Sequence, residues 1–467
     1  MPATLPDTKV DPHHKISRFI HAFGFAGLII LLLGTGFSKT AQNAGMAFAL
    51  LAFAGGVWIH RQQWWPRLAN DWMMRWTALW IVYVIILAII MAQLHPEIAE
   101  RHYDYAWKLS RFFLIGLVAW WVAMAFRHVI NAYILLLAGF VFGALLFHHE
   151  LGWPSGLGPV QLDLWEGPQF YTLFSASVLA ISLILARDIW GPRHSRAFWF
   201  RGAMWAVTIG VAANSLLVSQ SRAGLLGLIV GLALAGAALG YRRLRRGSAR
   251  SGSSRMQWLA GTAGALILIP TLWAGWALSS DRVERDIAVV KQAIESGEVQ
   301  DTSVGKRLVQ WQHARDFHRE RPWFGWGPGA GAYLHEKADF PDEFHAAGSH
   351  FHNTPLDILL WTGVVGVAIV TLLFVSIARG LWRLFQCGGT EGRMALAGLT
   401  VLAIAFTAST MQTYLTSQVS WFYLAAFVGP AYALALQGAD AVTASTPTSP
   451  ETSGTRTRIV SLSSSTR

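Results

Sequence analysis

Along the 467-residue chain, uninterrupted apolar runs alternate with short polar stretches. Runs of about 20 residues cross the hydrocarbon core of a bilayer as helices, because lipid offers no partner to an unpaired backbone amide. The runs lie at 17–37, 42–60, 73–94, 111–127, 129–148, 169–187, 201–219, 223–241, 257–279, 355–378, 394–412 and 420–437. They predict an all-α polytopic membrane protein of about 12 transmembrane helices. Only Arg127 and His128 separate the fourth run from the fifth. The first run lacks a small-residue processing site and reads as a span, not as a cleaved leader. The organisation this implies is a segment 1–16, nine spans over 17–279, a loop 280–354, three spans over 355–437 and a tail 438–467. The tail is Ser/Thr-rich and poor in apolar residues, which predicts disorder.

Composition agrees with the pattern. Apolar residues make up 53% of the chain and charged residues 13%, against about 25% charged in a soluble domain. A formal net charge of +11 on a soluble protein would suggest nucleic acid, but here it is first a matter of topology. An even number of spans puts both termini on one side. With the termini in the cytoplasm, 23 Lys and Arg stand inside and 14 outside, nine of the latter in the long loop, where the positive-inside rule has little force. The short-segment comparison is therefore 23 against 5, and both termini are expected to be cytoplasmic. Arg242, Arg243, Arg245 and Arg246 read as an orientation and headgroup signal, and no nucleic-acid partner is expected. A single cysteine, Cys387, excludes an intrachain disulfide and any multi-cysteine metal site.

Loop 280–354 is the only extramembrane segment large enough to fold around something, and it should face outward. It carries six of the 16 histidines and 12 of the 26 acidic residues, and 282–320 is patterned as amphipathic helix interrupted near Ser296 and Gly297. A second outward loop, 148–168, holds His148, His149, Trp153, Asp163, Trp165 and Glu166. Adjacent histidines do not converge on a metal, so this loop reads as solvated.

Three constellations carry candidate chemistry. In Ser349-His350-Phe351-His352-Asn353-Thr354-Pro355-Leu356, Pro355 suits the first turn of a helix and Asn353 or Thr354 its cap. His352 then sits beside a positive helix end, either as an interfacial residue or as a general base, for which an ordinary imidazole pKa near 6.5 is suited. No third ligand at a telling spacing accompanies His350 and His352, so no metal site is expected. In Ser219-Gln220-Ser221-Arg222-Ala223-Gly224 one arginine marks an outward turn. It either snorkels to headgroups or holds two phosphate oxygens in its planar fork. Gly227 and Gly231 beyond it are spaced for close helix packing. The third stretch runs from Gly305-Lys306-Arg307 to Arg321-Pro322-Trp323-Phe324-Gly325-Trp326-Gly327-Pro328-Gly329-Ala330-Gly331. Its glycines suit either an anion cradle or an ordered turn; Trp323, Trp326 and Tyr333 suit either sugar stacking or interfacial anchoring; Arg307 is the better phosphate candidate. No HExxH, nucleophile elbow or Walker A is present, which removes support from a hydrolase or an ATPase.

These motifs in this order, with Leu356 and Gly363 to Gly366 beyond, resemble the O-antigen ligase family, whose superfamily also holds O-antigen polymerases and protein O-oligosaccharyltransferases. The resemblance covers roughly residues 205 to 375. It implies a GT-C-like fold with a large helical periplasmic loop between helices 9 and 10, in the bacterial inner membrane, with the active site facing the periplasm. It further implies an inverting, metal-independent glycosyltransferase without a cofactor. Such an enzyme moves a glycan from undecaprenyl pyrophosphate onto lipid A-core in lipopolysaccharide biosynthesis. Carried over, Arg222 and Arg307 hold the donor pyrophosphate and His352 activates the acceptor hydroxyl. Asn353 caps span ten and orients His352, while His313 and Arg315 are secondary candidates that also read as loop surface.

A polymerase or a protein O-oligosaccharyltransferase would use the same donor, and the local motifs hardly separate them from the ligase. A polyprenyl-glycan flippase or other transporter is the alternative of another class. The lack of an internal repeat and the scarcity of mid-span charges count against it.

Overall fold

The computed structural model describes residues 12–36, 38–126, 128–151, 168–192, 195, 197–219, 221–245, 273, 280–296, 299–300, 302–338, 350–414 and 418–444. Among these the chain is helical, with no strand. The helices are α1 (Pro12–Gly34), α2 (Lys39–Ile59), α3 (Arg61–Asn70), α4 (Trp72–Leu94), α5 (Ala99–Ser110), α6 (Phe113–Ala125), α7 (Ile130–Leu151), α8 (Pro168–Ile184), α9 (Ala186–Trp190), α10 (Phe198–Val218) and α11 (Arg222–Arg245). They continue with α12 (Ser280–Ser296), α13 (Ser303–Glu320), α14 (Gly331–Lys337), α15 (Thr354–Cys387), α16 (Gly389–Ser409) and α17 (Gln418–Ala444).

Nine helical stretches among the described residues are long and apolar enough to cross a membrane, and Ile130–Leu146 and Gln169–Ile184 are shorter apolar helices. The expected span 257–279 lies outside the described residues apart from Trp273, as do most of the expected loop 148–168 and the tail beyond Ala444. The last helix runs past the expected boundary at 437 to Ala444.

The bundle is organised around α17, whose apolar stretch Val419–Gln437 is almost wholly buried. A helix apolar on all sides has no water-facing stripe and must be enclosed by neighbours. Here α6, itself buried from Leu114 to Val122, lies along α17, and α16 flanks it. Tyr133 of α7 donates to the Phe427 carbonyl at 3.1 Å. Small residues set the closest approaches. A Cβ on Gly45 would lie 2.5 Å from the Leu31 nitrogen, and one on Gly231 would lie 2.7 Å from the Ile404 side chain. The small-residue spacing at Gly227 and Gly231 is thus a packing feature, joining α11 to α16.

Two helices occupy stretches between the expected spans. In α3 the indole of Trp64 is buried while Trp65 is exposed. In α5 one face buries His102, Ala106 and Leu109, and the helix leads through a short turn into α6. The start of α11, the start of α15 and the α16–α17 turn share one end of the bundle. At the opposite end Arg242 of α11 donates to the Phe385 carbonyl of α15 at 3.0 Å.

Candidate functional site

α13 begins where the Thr302 hydroxyl accepts the Gly305 N–H at 3.1 Å. A side chain on Gly305 would strike the Gln300 carbonyl, so the turn closes tightly. Arg307 follows in the first turns of this helix. Arg222 opens α11, an unfavourable place for a cation because the helix dipole is positive there. The side chain is accordingly paired: its Nη1 donates to Oδ2 of Asp286 on α12. Ser219 of the same motif is structural, accepting from Thr172 at 2.5 Å and donating to the Leu216 carbonyl at 3.0 Å.

Arg307 shares this neighbourhood. Burial pushes its pKa down, Asp286 opposes that shift, and Arg222 adds to it; Tyr414 also acts on it. Burial in turn raises the Tyr414 phenol, against the influence of Arg307. Two guanidinium groups, one carboxylate and one phenol therefore form a single electrostatic group with excess positive charge.

Tyr414 connects this group to the histidine motif. Its N–H donates to Oγ1 of Thr354 at 2.9 Å, and Thr354 opens α15. Asn353 caps α15 as expected, accepting the Leu356 N–H at 3.1 Å, and Pro355 lies in the first turn. His352, at φ 51, is a non-glycine residue in the left-handed region. Such a backbone costs about 1–2 kcal/mol and persists only where its surroundings hold it. Phe351 supplies the hold. Its ring is fully buried, its N–H donates to Asp357 at 3.0 Å, and its carbonyl accepts the Trp311 indole N–H at 2.9 Å. Nδ1 of His352 lies 3.2 Å from Oε1 of Gln412.

His350 and His335 complete the surroundings. The His350 ring meets the His352 ring edge-on at 4.6 Å between centroids. His335 packs on Phe351 at 4.7 Å. Burial, reinforced by neighbouring histidines including His352, lowers both His335 and His350 to about 4; His313 adds to the shift at His335. Both are neutral in the fold near neutral pH. The unfolded chain takes up these protons near pH 6.5, whereas the fold resists until about 4. Stability should therefore fall as pH drops from 6.5 towards 4. Thermal unfolding of the detergent-purified protein measures this: Tm declines across that window, and His335→Gln with His350→Gln flattens the decline.

Of the secondary candidates, His313 belongs to this histidine group, whereas Arg315 is exposed and paired with Asp316. The glycine-rich stretch has a different task. α15 is broken at Gly363, φ 63, and the break is closed by residues 322–327. Trp326 and Gly327 donate to the Leu360 and Trp361 carbonyls at 2.8 and 3.0 Å, and Val364 and Val365 donate to the Pro322 and Trp323 carbonyls at 2.9 and 3.2 Å. Broken helix in a membrane protein persists only where protein satisfies its backbone. The amides of Trp326 and Gly327 are thus engaged by α15, and the ordered-turn reading holds for them over the anion cradle. Trp326 is buried, with its indole donating to the Phe317 carbonyl at 3.0 Å, so it offers no face to a sugar; Trp323 is exposed.

Asp286, Asp357, Gln412 and Tyr414 are the site residues that motif reading missed. Only Asp357 had a signal, as an acidic residue just inside an apolar run. Residues 207–371 match the family model of O-antigen ligase. Over this segment, about a third of the chain, the protein is similar to the O-antigen ligase family. The match spans Arg222, Asp286, Arg307, His352 and Asp357, and ends before Gln412 and Tyr414. A search of the curated proteins finds no match. Members of the O-antigen ligase family are glycosyltransferase-like enzymes, which supports an enzyme role in general for this multi-pass membrane protein.

Proposed function

We propose that this protein is an inverting glycosyltransferase that ligates O-antigen glycan from undecaprenyl pyrophosphate onto lipid A-core. It would act in the bacterial inner membrane, with its site facing the periplasm and both termini in the cytoplasm. The observation that carries the reading is that the matched segment holds Arg222, Arg307 and His352, with Arg222 paired to Asp286, Arg307 under the electrostatic influence of Asp286 and Tyr414, and Tyr414 hydrogen-bonded to Thr354 beside the histidine motif.

In this reading Arg222 and Arg307 bind the two phosphates of the donor, which replace Asp286 as the counter-charge. An acceptor hydroxyl attacks the anomeric carbon from the face opposite the pyrophosphate, and His352 takes its proton. The new glycosidic bond forms as the bond from the anomeric carbon to the phosphate oxygen breaks, so the configuration inverts. Undecaprenyl pyrophosphate leaves with the bonding electron pair. The negative charge it gains in the transition state is what fixed guanidinium groups stabilise most, and no step calls on a metal ion.

The test is to incubate purified protein with undecaprenyl-pyrophosphate glycan and lipid A-core, with and without EDTA. A shifted lipopolysaccharide band that survives EDTA is the expected result. Lengthened lipid-linked glycan without transfer to lipid A-core would make the protein a polymerase. No chemistry with either acceptor would reject the enzyme.

A further inference from the structure

The turn between α16 and α17 carries Gln412, Thr413 and Tyr414, and it lies beyond the segment that matches the family model. Its backbone is pinned to the start of α15. The Gln412 carbonyl accepts from Thr354 twice, from N–H at 3.3 Å and from Oγ1 at 2.9 Å. The Thr413 hydroxyl donates to Oδ2 of Asp357, whose other oxygen holds Phe351. Asp357 is fully buried, so one carboxylate ties this turn to the turn that sets His352 in its left-handed conformation. The Gln412 side chain, itself 8% exposed, is thereby directed at Nδ1 of His352 with its amide oxygen foremost.

We propose that Gln412 is a positioning residue for His352: its amide oxygen accepts the Nδ1–H, holds the ring in that tautomer and makes Nε2 the proton acceptor. The inference rests on the general-base role given to His352 above. A histidine's reactive nitrogen is set by the hydrogen bond that its other nitrogen makes. A neutral amide does this without the added stabilisation of the imidazolium that a carboxylate would bring. The titratable and charged groups around it fit that task. His350 on its own turn and His335 on α14 are held neutral, and His313 of α13 acts on His335. Asp357 engages Phe351 and Thr413, and Arg307 acts electrostatically on Tyr414.

Two variants and one spectroscopic measurement test this. Gln412→Glu puts a carboxylate on Nδ1 and should move the acid limb of the kcat/KM profile upward by about one pH unit, with the plateau at higher pH retained. Gln412→Ala should lower kcat by about tenfold to a hundredfold with the donor KM unchanged. Nitrogen NMR of histidine-labelled protein, with His352→Gln to assign the signal, should show a protonated Nδ1 in wild type. An unmoved acid limb in a folded Gln412→Glu protein, an unaltered kcat in Gln412→Ala, or a protonated Nε2 would each overturn the proposal. The NMR reading needs no glycan, so loss of the enzymatic reading, seen as no transfer by wild type, is told apart from loss of this one.

Discussion

Alanine at Arg222, Arg307 or His352 should lower glycan transfer by about a hundredfold or more in a protein that still folds. Removing one preorganised donor from a developing oxyanion costs about 10²–10³ in rate, and removing a general base costs about 10²–10⁴. The arginines and the histidine should fail differently. Arg222→Lys and Arg307→Lys keep a charge but lose the planar fork that grips two oxygens, so they should recover only a fraction of the activity. Asp286→Asn is the informative contrast. Its carboxylate pairs with Arg222, and both side chains are about one-third exposed. Removing it should leave transfer intact and lower the donor KM. Transfer assays paired with thermal unfolding would measure this set, and wild-type rates in Arg222→Ala or His352→Ala would reject the roles assigned here.

Valine at Gly363 should destabilise the protein by about 3 kcal/mol or more, lowering Tm and increasing proteolysis in detergent. The residue has φ 63, which only glycine adopts readily. A Cβ there would lie 2.2 Å from the Trp323 carbonyl carbon and oxygen, and both are backbone atoms that cannot swing aside. Moving them would undo the four backbone bonds that close the break in α15. Those bonds also hold the glycine-rich stretch, so transfer should fall with stability. Gly236→Ala is the control. Nothing stands within 4 Å of a Cβ at that helical position, so the substitution should be neutral or slightly stabilising. Equal Tm values for the two variants would contradict this account of the break.

The all-α membrane architecture and the cap were legible because each is a local matter. Hydropathy over about 20 residues reports the solvent a helix needs, whatever it packs against. Asn353 and Pro355 likewise report a helix start through their own side chains. The amphipathic stretch interrupted near Ser296 and Gly297 is the pair α12 and α13. The glycine alternation at 325–331 was recognisable as special backbone, but not its purpose, since its hydrogen-bond partners lie some 35 residues away in α15.

An all-α membrane protein, with helix starts and arginine and histidine motifs at particular positions, was readable from the residues alone. Each of those properties follows from side-chain chemistry within one or two turns of chain. The pairing of Asp286 with Arg222, the bridge that Asp357 makes between the His352 and Thr413 turns, and the approach of Gln412 to Nδ1 of His352 emerge from the packed fold. Those contacts join residues 56 to 64 positions apart in the first two pairings across the chain, and 60 in the last. Nothing in the spacing of residues encodes which helix ends meet, because that is set by how the buried faces of α15, α16 and α17 pack together.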